Sequence, residues 1–214
     1  MPRIRQVARK DIHAEAEPFF QMLFDDRDPV TTPGTGSGTP GNWWTVFAGV
    51  ADIFDHAVAG FQLYQQPHRM LDAKLRELAQ ARAGYACASQ FVFSQHCKGC
   101  RDAGMTEEQI SAIPAWNLAD CFSAVERAVL AYTDALARDN GRISDAAFAN
   151  LKHELSDVEI LELSYIIGMY VMHAGLSRAL RLEYDDVPDN VAEVAAPNGK
   201  TGLAETLYMQ PDPS

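Results

Sequence analysis

Apolar residues recur along most of this chain at intervals of three and four, the spacing that lines one face of an α-helix. Leu71, Leu75, Leu78 and Tyr85 mark one such face, and similar patterning covers residues 121–138 and 144–154. The period-two alternation of a half-buried strand is not sustained, and β-branched residues are scattered. The chain reads as all-α, with about seven to nine helices.

Helix starts and stops divide it further. A first helix is expected over residues 12–24, and residues 25–41 (DDRDPVTTPGTGSGTPG) carry too much Pro and Gly for regular structure. Helical patterning resumes at Trp43, with a break near residues 49–52, and runs to Gln66, where Pro67 ends it. Residues 71–86 and 87–103 follow as two helices, or as one kinked at Gly84, and Gly104 closes the second. Thr106-Glu107-Glu108-Gln109 and Ser156-Asp157-Val158-Glu159 match the capping box, in which a hydroxyl and a residue three positions later satisfy each other's amides. Asp139-Asn140-Gly141 forms a turn between two helical segments. The chain therefore divides into an N-terminal helix and loop (1–40), a helical domain (41–188) and a polar tail (189–214).

Composition narrows the function classes. A chain of 214 residues, 47% hydrophobic and 22% charged, can bury one substantial core. Its net charge of -11 speaks against nucleic acid and anionic membranes as partners, since both favour basic surfaces. Polar residues interrupt the most apolar segment, 160–180, which reads as a buried core helix and not as a membrane span. No secretory pattern opens the chain, and four cysteines do not suggest a disulfide framework, so a cytoplasmic location is expected. Small molecules and other proteins remain as partners.

Candidate chemistry concentrates in residues 77–104. At about 100° per residue, His96 falls on an inward stripe with Ser89, Val92, Phe93, Cys100 and Ala103, while Gln95, Lys98 and Asp102 lie elsewhere. Glu77, on the preceding helix, lines up with Ala81 and Gly84, small residues that let another helix approach. A partly buried carboxylate there needs a partner. His96 is the candidate, and a Glu–imidazole pair in an apolar pocket can fix a tautomer and transfer a proton; it can equally be a satisfied structural pair. Cys97 and Cys100 form a CxxC, but they sit late in their helix, where the macrodipole opposes a thiolate, and both fit as small hydrophobes. A zinc site is not expected, because adjacent His96 and Cys97 diverge on a helix and Cys87 is more than two turns away.

Taken together, Arg76-Glu77-Leu78, the run 89–96 (SQFVFSQH) and the run 103–110 (AGMTEEQI) resemble the core of the carboxymuconolactone decarboxylase and alkylhydroperoxidase D-like (AhpD-like) superfamily. Gly41-Asn42-Trp43-Trp44 and residues 161–170 and 182–188 extend the resemblance over roughly 41–188. The peroxidase branch places two cysteines before the His, and here those positions hold Ser89 and Val92. CKGC follows the His instead.

The resemblance therefore implies an AhpD-like helical oligomer, a trimer or hexamer or else a dimer, of the thiol-independent decarboxylase branch. It implies no metal or organic cofactor, and lyase chemistry on a small carboxylated or lactone substrate of the kind met in the breakdown of aromatic compounds. His96 would be the acid and Glu77 would set its tautomer, while Ser89, and less directly Tyr85 and Gln95, would bind substrate. Gln95 is expected to reach a site only at a subunit boundary. Two readings stand beside this one: a thiol peroxidase or reductase using Cys97 and Cys100, and a non-catalytic helical oligomer.

Overall fold

The computed structural model describes residues 1–183, and within them every regular element is helical. Nine α-helices follow in order: α1 (Glu17–Phe24), α2 (Asn42–Phe47), α3 (Ala51–Leu63), α4 (Ala73–Ala86), α5 (Gln90–Asp102), α6 (Glu107–Ala112), α7 (Ala124–Arg138), α8 (Asp145–Glu154) and α9 (Asp157–Leu180). The expected tail, 189–214, and the last residues of the expected domain lie outside the described residues.

Caps explain most of the boundaries. Thr106 and Ser156 close the capping boxes expected from sequence, and Ser123 with Glu126 closes a third at the start of α7. Asp72 opens α4 by accepting from the amides of Lys74 and Leu75. Gly104, at φ 83°, ends α5, and Asn140 and Gly141 turn the chain after α7 with φ of 54° and 79°. Pro18 sits in the first turn of α1, so that helix begins at Glu17, and in place of the helix expected from residue 12 the chain has extended backbone at His13 and one 3-10 turn at Ala14–Ala16.

One open choice is settled and one expectation corrected. Of the two readings of residues 71–103, the pair of helices holds and the single helix kinked at Gly84 does not: α4 and α5 are separated by a turn at Ala88, whose φ is 56°. Gly84 lies inside α4, where an added Cβ would stand 2.6 Å from the backbone nitrogen of Phe93. It is one of the points of closest approach between α4 and α5. Helix α9, for its part, is buried on one side only: Ile160, Leu163, Ile166 and Ile167 face the core, while Val158, Leu161, Tyr165, Met172 and Leu176 are exposed. By length and composition alone, α9 is the one described helix that meets the requirements of a membrane span.

Helix α4 is central, packing against α5, α7 and α9. It separates two apolar clusters, one built from Leu71, Leu75, Val129, Leu151 and Leu163 and the other from Leu78, Cys97, Cys100, Ile113 and Leu130. A third joins the ends of the described chain: Phe20, Phe24, Trp43, Phe54 and Leu182 pack together. Full burial of such side chains is worth about 1.5–3 kcal/mol each. The Glu183 carboxylate reinforces this closure by accepting from the amides of Gly41 at 3.1 Å and Trp43 at 2.7 Å, at the start of α2.

Candidate active site

Glu77 and His96 meet where α4 and α5 run side by side. Carboxylate oxygen Oε2 of Glu77 lies 2.8 Å from Nδ1 of His96, and each side chain is 15% exposed. The other carboxylate oxygen, Oε1, accepts from Arg76 Nη2 at 3.2 Å, and Arg76 Nη1 donates to the Tyr64 carbonyl at 3.1 Å. Burial pushes the Glu77 carboxyl up, but the His96 hydrogen bond and the charges of His96 and Arg76 outweigh it and hold the group below its usual value. The carboxylate is thus ionised and fixed, and it accepts the Nδ1 proton of the imidazole.

Space for this arrangement comes from Gly99. A Cβ at that position would stand 2.1 Å from Glu77 Oε2, so no larger residue fits beside the carboxylate. The glycine of the CKGC run therefore serves the Glu77–His96 pair. Tyr170 from α9 presses on the imidazole edge-on, with ring centroids 4.4 Å apart and planes at 87°. Its burial raises the phenol well above the ordinary tyrosine range and keeps it neutral.

With Nδ1 engaged by Glu77, Nε2 is the nitrogen left for chemistry. His96 lines a cavity of about 230 Å³ together with Trp43, Phe61, Phe91, Tyr170 and His173. Gln95 lines it too, which corrects the expectation that only a subunit boundary would bring it to a site: α5 is enclosed on more than one side, so residues off its inward stripe still meet walls from α2, α3 and α9. The polar rim includes Ser37 and Thr39 of the Pro/Gly-rich loop, and Lys98 donates to the Ser37 carbonyl, which ties that loop to α5.

The remaining sequence candidates stand elsewhere. Ser89 is the N-cap of α5, its hydroxyl oxygen accepting from the Val92 amide at 3.2 Å; at 1% exposure it is not part of the cavity lining. Tyr85 is 43% exposed and stacks edge-on against Phe93 with Arg82 beside it. Cys97 and Cys100 turn away from the cavity into the cluster of Leu78, Ala81 and Ile110. Burial raises both thiols, Cys100 to about 12, which is the opposite of an activated nucleophile. Among the described residues no group of His, Cys, Asp and Glu is placed to hold a metal ion.

Sequence reasoning missed the far wall. Trp43, Phe61 and His173 come from α2, α3 and α9, and nothing in their local spacing points to one another. His173 offered a signal all the same, an imidazole within the most apolar run of the chain.

Comparison with known proteins follows the same outline. Residues 54–135 match the model of the carboxymuconolactone decarboxylase family, and this segment holds both Glu77 and His96. Among solved structures, a protein of unknown function from Agrobacterium tumefaciens, named for the antioxidant defence protein AhpD, superposes with a TM-score of 0.58 at 24% identity, over 62% of this chain and 90% of that one. The debrominase Bmp8 gives 0.65 at 15% identity, covering 83% and 89%. A peroxidase-related protein from Silicibacter sp. TM1040 gives 0.62 at 15% identity, covering 80% and 85%. At these identities the shared feature is the fold, which is AhpD-like and all-helical in the described residues. No curated protein sequence is significantly similar to the chain.

Proposed function

Residues 54–135 match the carboxymuconolactone decarboxylase family and the fold is AhpD-like; on that likeness we propose that the chain is a member of this superfamily and a thiol-independent enzyme that moves a proton to or from a small unsaturated substrate through His96. The observation that carries this reading is the 2.8 Å contact between Glu77 and His96 Nδ1 at the wall of an aromatic-lined cavity. Glu77 fixes the imidazole with Nδ1 protonated, so Nε2 faces the cavity as the base, and as the acid once protonated. The Glu77 charge stabilises the imidazolium that forms when Nε2 takes a proton, and Arg76 limits how basic the carboxylate becomes. In the decarboxylating form of the reaction, loss of CO2 from a carboxylated lactone leaves a dienolate, and imidazolium Nε2 would deliver the proton to carbon. An apolar cavity suits that step by solvating the carboxylate poorly and the neutral product well.

The neighbour Bmp8 is a debrominase whose solved complex holds a tribromopyrrole. That complex supports a planar ring as the kind of molecule the fold accommodates. The peroxidase reading draws on the names of other neighbours, but here the two thiols of CKGC are buried and raised.

The proposal is tested by screening lactones and keto acids for turnover and then comparing variants. His96→Gln should lower kcat by about 10²–10⁴-fold, the range for a positioned general acid or base, with the melting temperature retained. The double change Cys97→Ala with Cys100→Ala should leave kcat intact. A folded double variant without activity would overturn the reading in favour of thiol chemistry, and an unchanged rate in His96→Gln would favour a structural pair.

We also propose self-association through α9. Its exposed apolar residues at 158, 161, 165 and 172 follow heptad spacing, with Gly168 and Gly175 at the heptad positions between and after them, open to close approach, and Leu176 alongside. Acidic Asp157 and Glu159 stand in the first turn of the helix, and Arg178 stands in its last turn. An antiparallel second copy of α9 would pair those ends.

A further inference from the structure

His173 takes no part in the proton-transfer pair, yet it lines the same cavity at 3% exposure. Neither of its ring nitrogens has a hydrogen-bond partner among the described residues. Around it stand the rings of Phe61, Trp43, Phe47 and Tyr170, with centroids 5.0, 5.9, 6.1 and 6.2 Å away. An apolar ring in that nest would pack without leaving polar atoms unsatisfied, and buried polar groups in folded proteins are nearly always paired. The imidazole is thus at odds with a purely structural role. A second group is placed in the same way: the Nε2 amide of Gln95, also on the cavity wall, is buried and without a partner among the described residues.

These two groups come from α9 and α5, and the cavity they share is the size of a small ring compound. We propose that His173 and Gln95 are the recognition pair of this cavity, holding a hydroxyl or carbonyl oxygen on a small planar unsaturated ring. Burial lowers His173 to about 4, so the imidazole is neutral and offers one N–H donor and one acceptor nitrogen. A carbonyl oxygen accepts from His173 and from Gln95 Nε2. A hydroxyl accepts from Gln95 and donates to the unprotonated nitrogen of His173. The ring itself lies against Trp43, Phe61 and Phe91, whose faces supply apolar contact, and a ring anchored in this way is presented to His96, which lines the same cavity. This assignment builds on the proton-transfer reading for what happens to the ring, but binding alone tests it.

The experiment is equilibrium binding of phenol and toluene to the full chain, followed by tryptophan fluorescence, since Trp43 and Trp44 line the cavity. The two probes differ by the hydroxyl that the pair should hold. The parent chain should prefer phenol by about 10-fold, the factor given by one net hydrogen bond of about 1.4 kcal/mol. In His173→Phe and His173→Leu the preference should fall to within about 2-fold, with the melting temperature equal or higher because an unpaired polar group has gone. His173→Gln, which keeps a donor and an acceptor, should retain part of the preference. A parent that binds toluene as well as phenol, or binds neither, overturns the proposal, as does a folded His173→Phe that keeps the preference. Failure of the proton-transfer reading looks different: a His96→Gln chain that keeps turnover defeats that reading and leaves the recognition pair standing.

Discussion

At the scale of single residues, the cavity holds two imidazoles put to opposite uses by their surroundings. His96 is paired with a carboxylate, whereas His173 is given only aromatic rings and an aromatic-walled cavity, and burial keeps it neutral. The second fact has a consequence for stability. In the unfolded chain His173 takes up a proton below about 6.5, whereas in the fold it stays neutral down to about 4. As pH falls from 6.5 to 4 the unfolded state therefore binds the extra proton, and stability declines by about 1.4 kcal/mol per unit, roughly 3 kcal/mol in all. Glu77 has the reverse assignment among acids: its folded value is lowered, so its contribution is present above 4.5 and is lost only below that. The two windows are separable. Urea midpoints measured at pH 7 and pH 4.5 should differ markedly less in His173→Phe than in the parent chain, and an equal difference in both would show that His173 does not carry this dependence.

At the scale of elements, the site depends on how closely α4 and α5 approach. Gly84 sets that distance, because a Cβ there would meet Phe93 backbone at 2.6 Å and Val92 Cγ1 at 2.8 Å. Alanine is the better helix former by about 1 kcal/mol, but the atoms it would strike are mostly backbone and cannot rotate away. The clash wins. Gly84→Ala should cost about 1–3 kcal/mol in urea unfolding and reduce turnover by moving His96 off Glu77; a stabilised variant would show that the helices can part without penalty. This contact also marks what was legible in the sequence. Hydroxyl caps at Thr106 and Ser156, the Gly104 stop and the Asn140-Gly141 turn act within four residues, so the helices could be read locally. The alignment of Glu77 with Ala81 and Gly84 pointed to close packing and a buried carboxylate, and His96 was its nearest partner. The role of Gly84 stayed open between a kink and an ordinary helical position, since the same small residue serves a bend or a contact. The far wall was not legible, because Trp43, Phe61 and His173 meet only when α2, α3 and α9 fold onto one another.

At the scale of the whole molecule, α9 joins the site to the surface. One of its sides supplies Tyr170 and His173 to the cavity, while the other shows Val158, Leu161, Tyr165, Met172 and Leu176 to solvent. Leu161 is 71% exposed, and next to it a groove lined by Leu63, Tyr64, Val158 and Tyr165 continues the apolar surface. A single exposed leucine requires no explanation, but a heptad row with two open glycines is a surface suited to another helix. The acidic start and basic end of α9 favour an antiparallel neighbour of the same kind, in which each copy covers the other's row about a two-fold axis. Light scattering on the full chain should therefore give a mass of at least two chains. Leu161→Glu with Tyr165→Glu, both at exposed positions and so harmless to the single fold, should reduce it to one. If the parent is already a monomer, or the double variant keeps its assembly, the row is not the contact. Should the double variant dissociate, its phenol binding reports on the coupling between the two sides of α9: affinity matching the parent's would show that the cavity is complete within one chain.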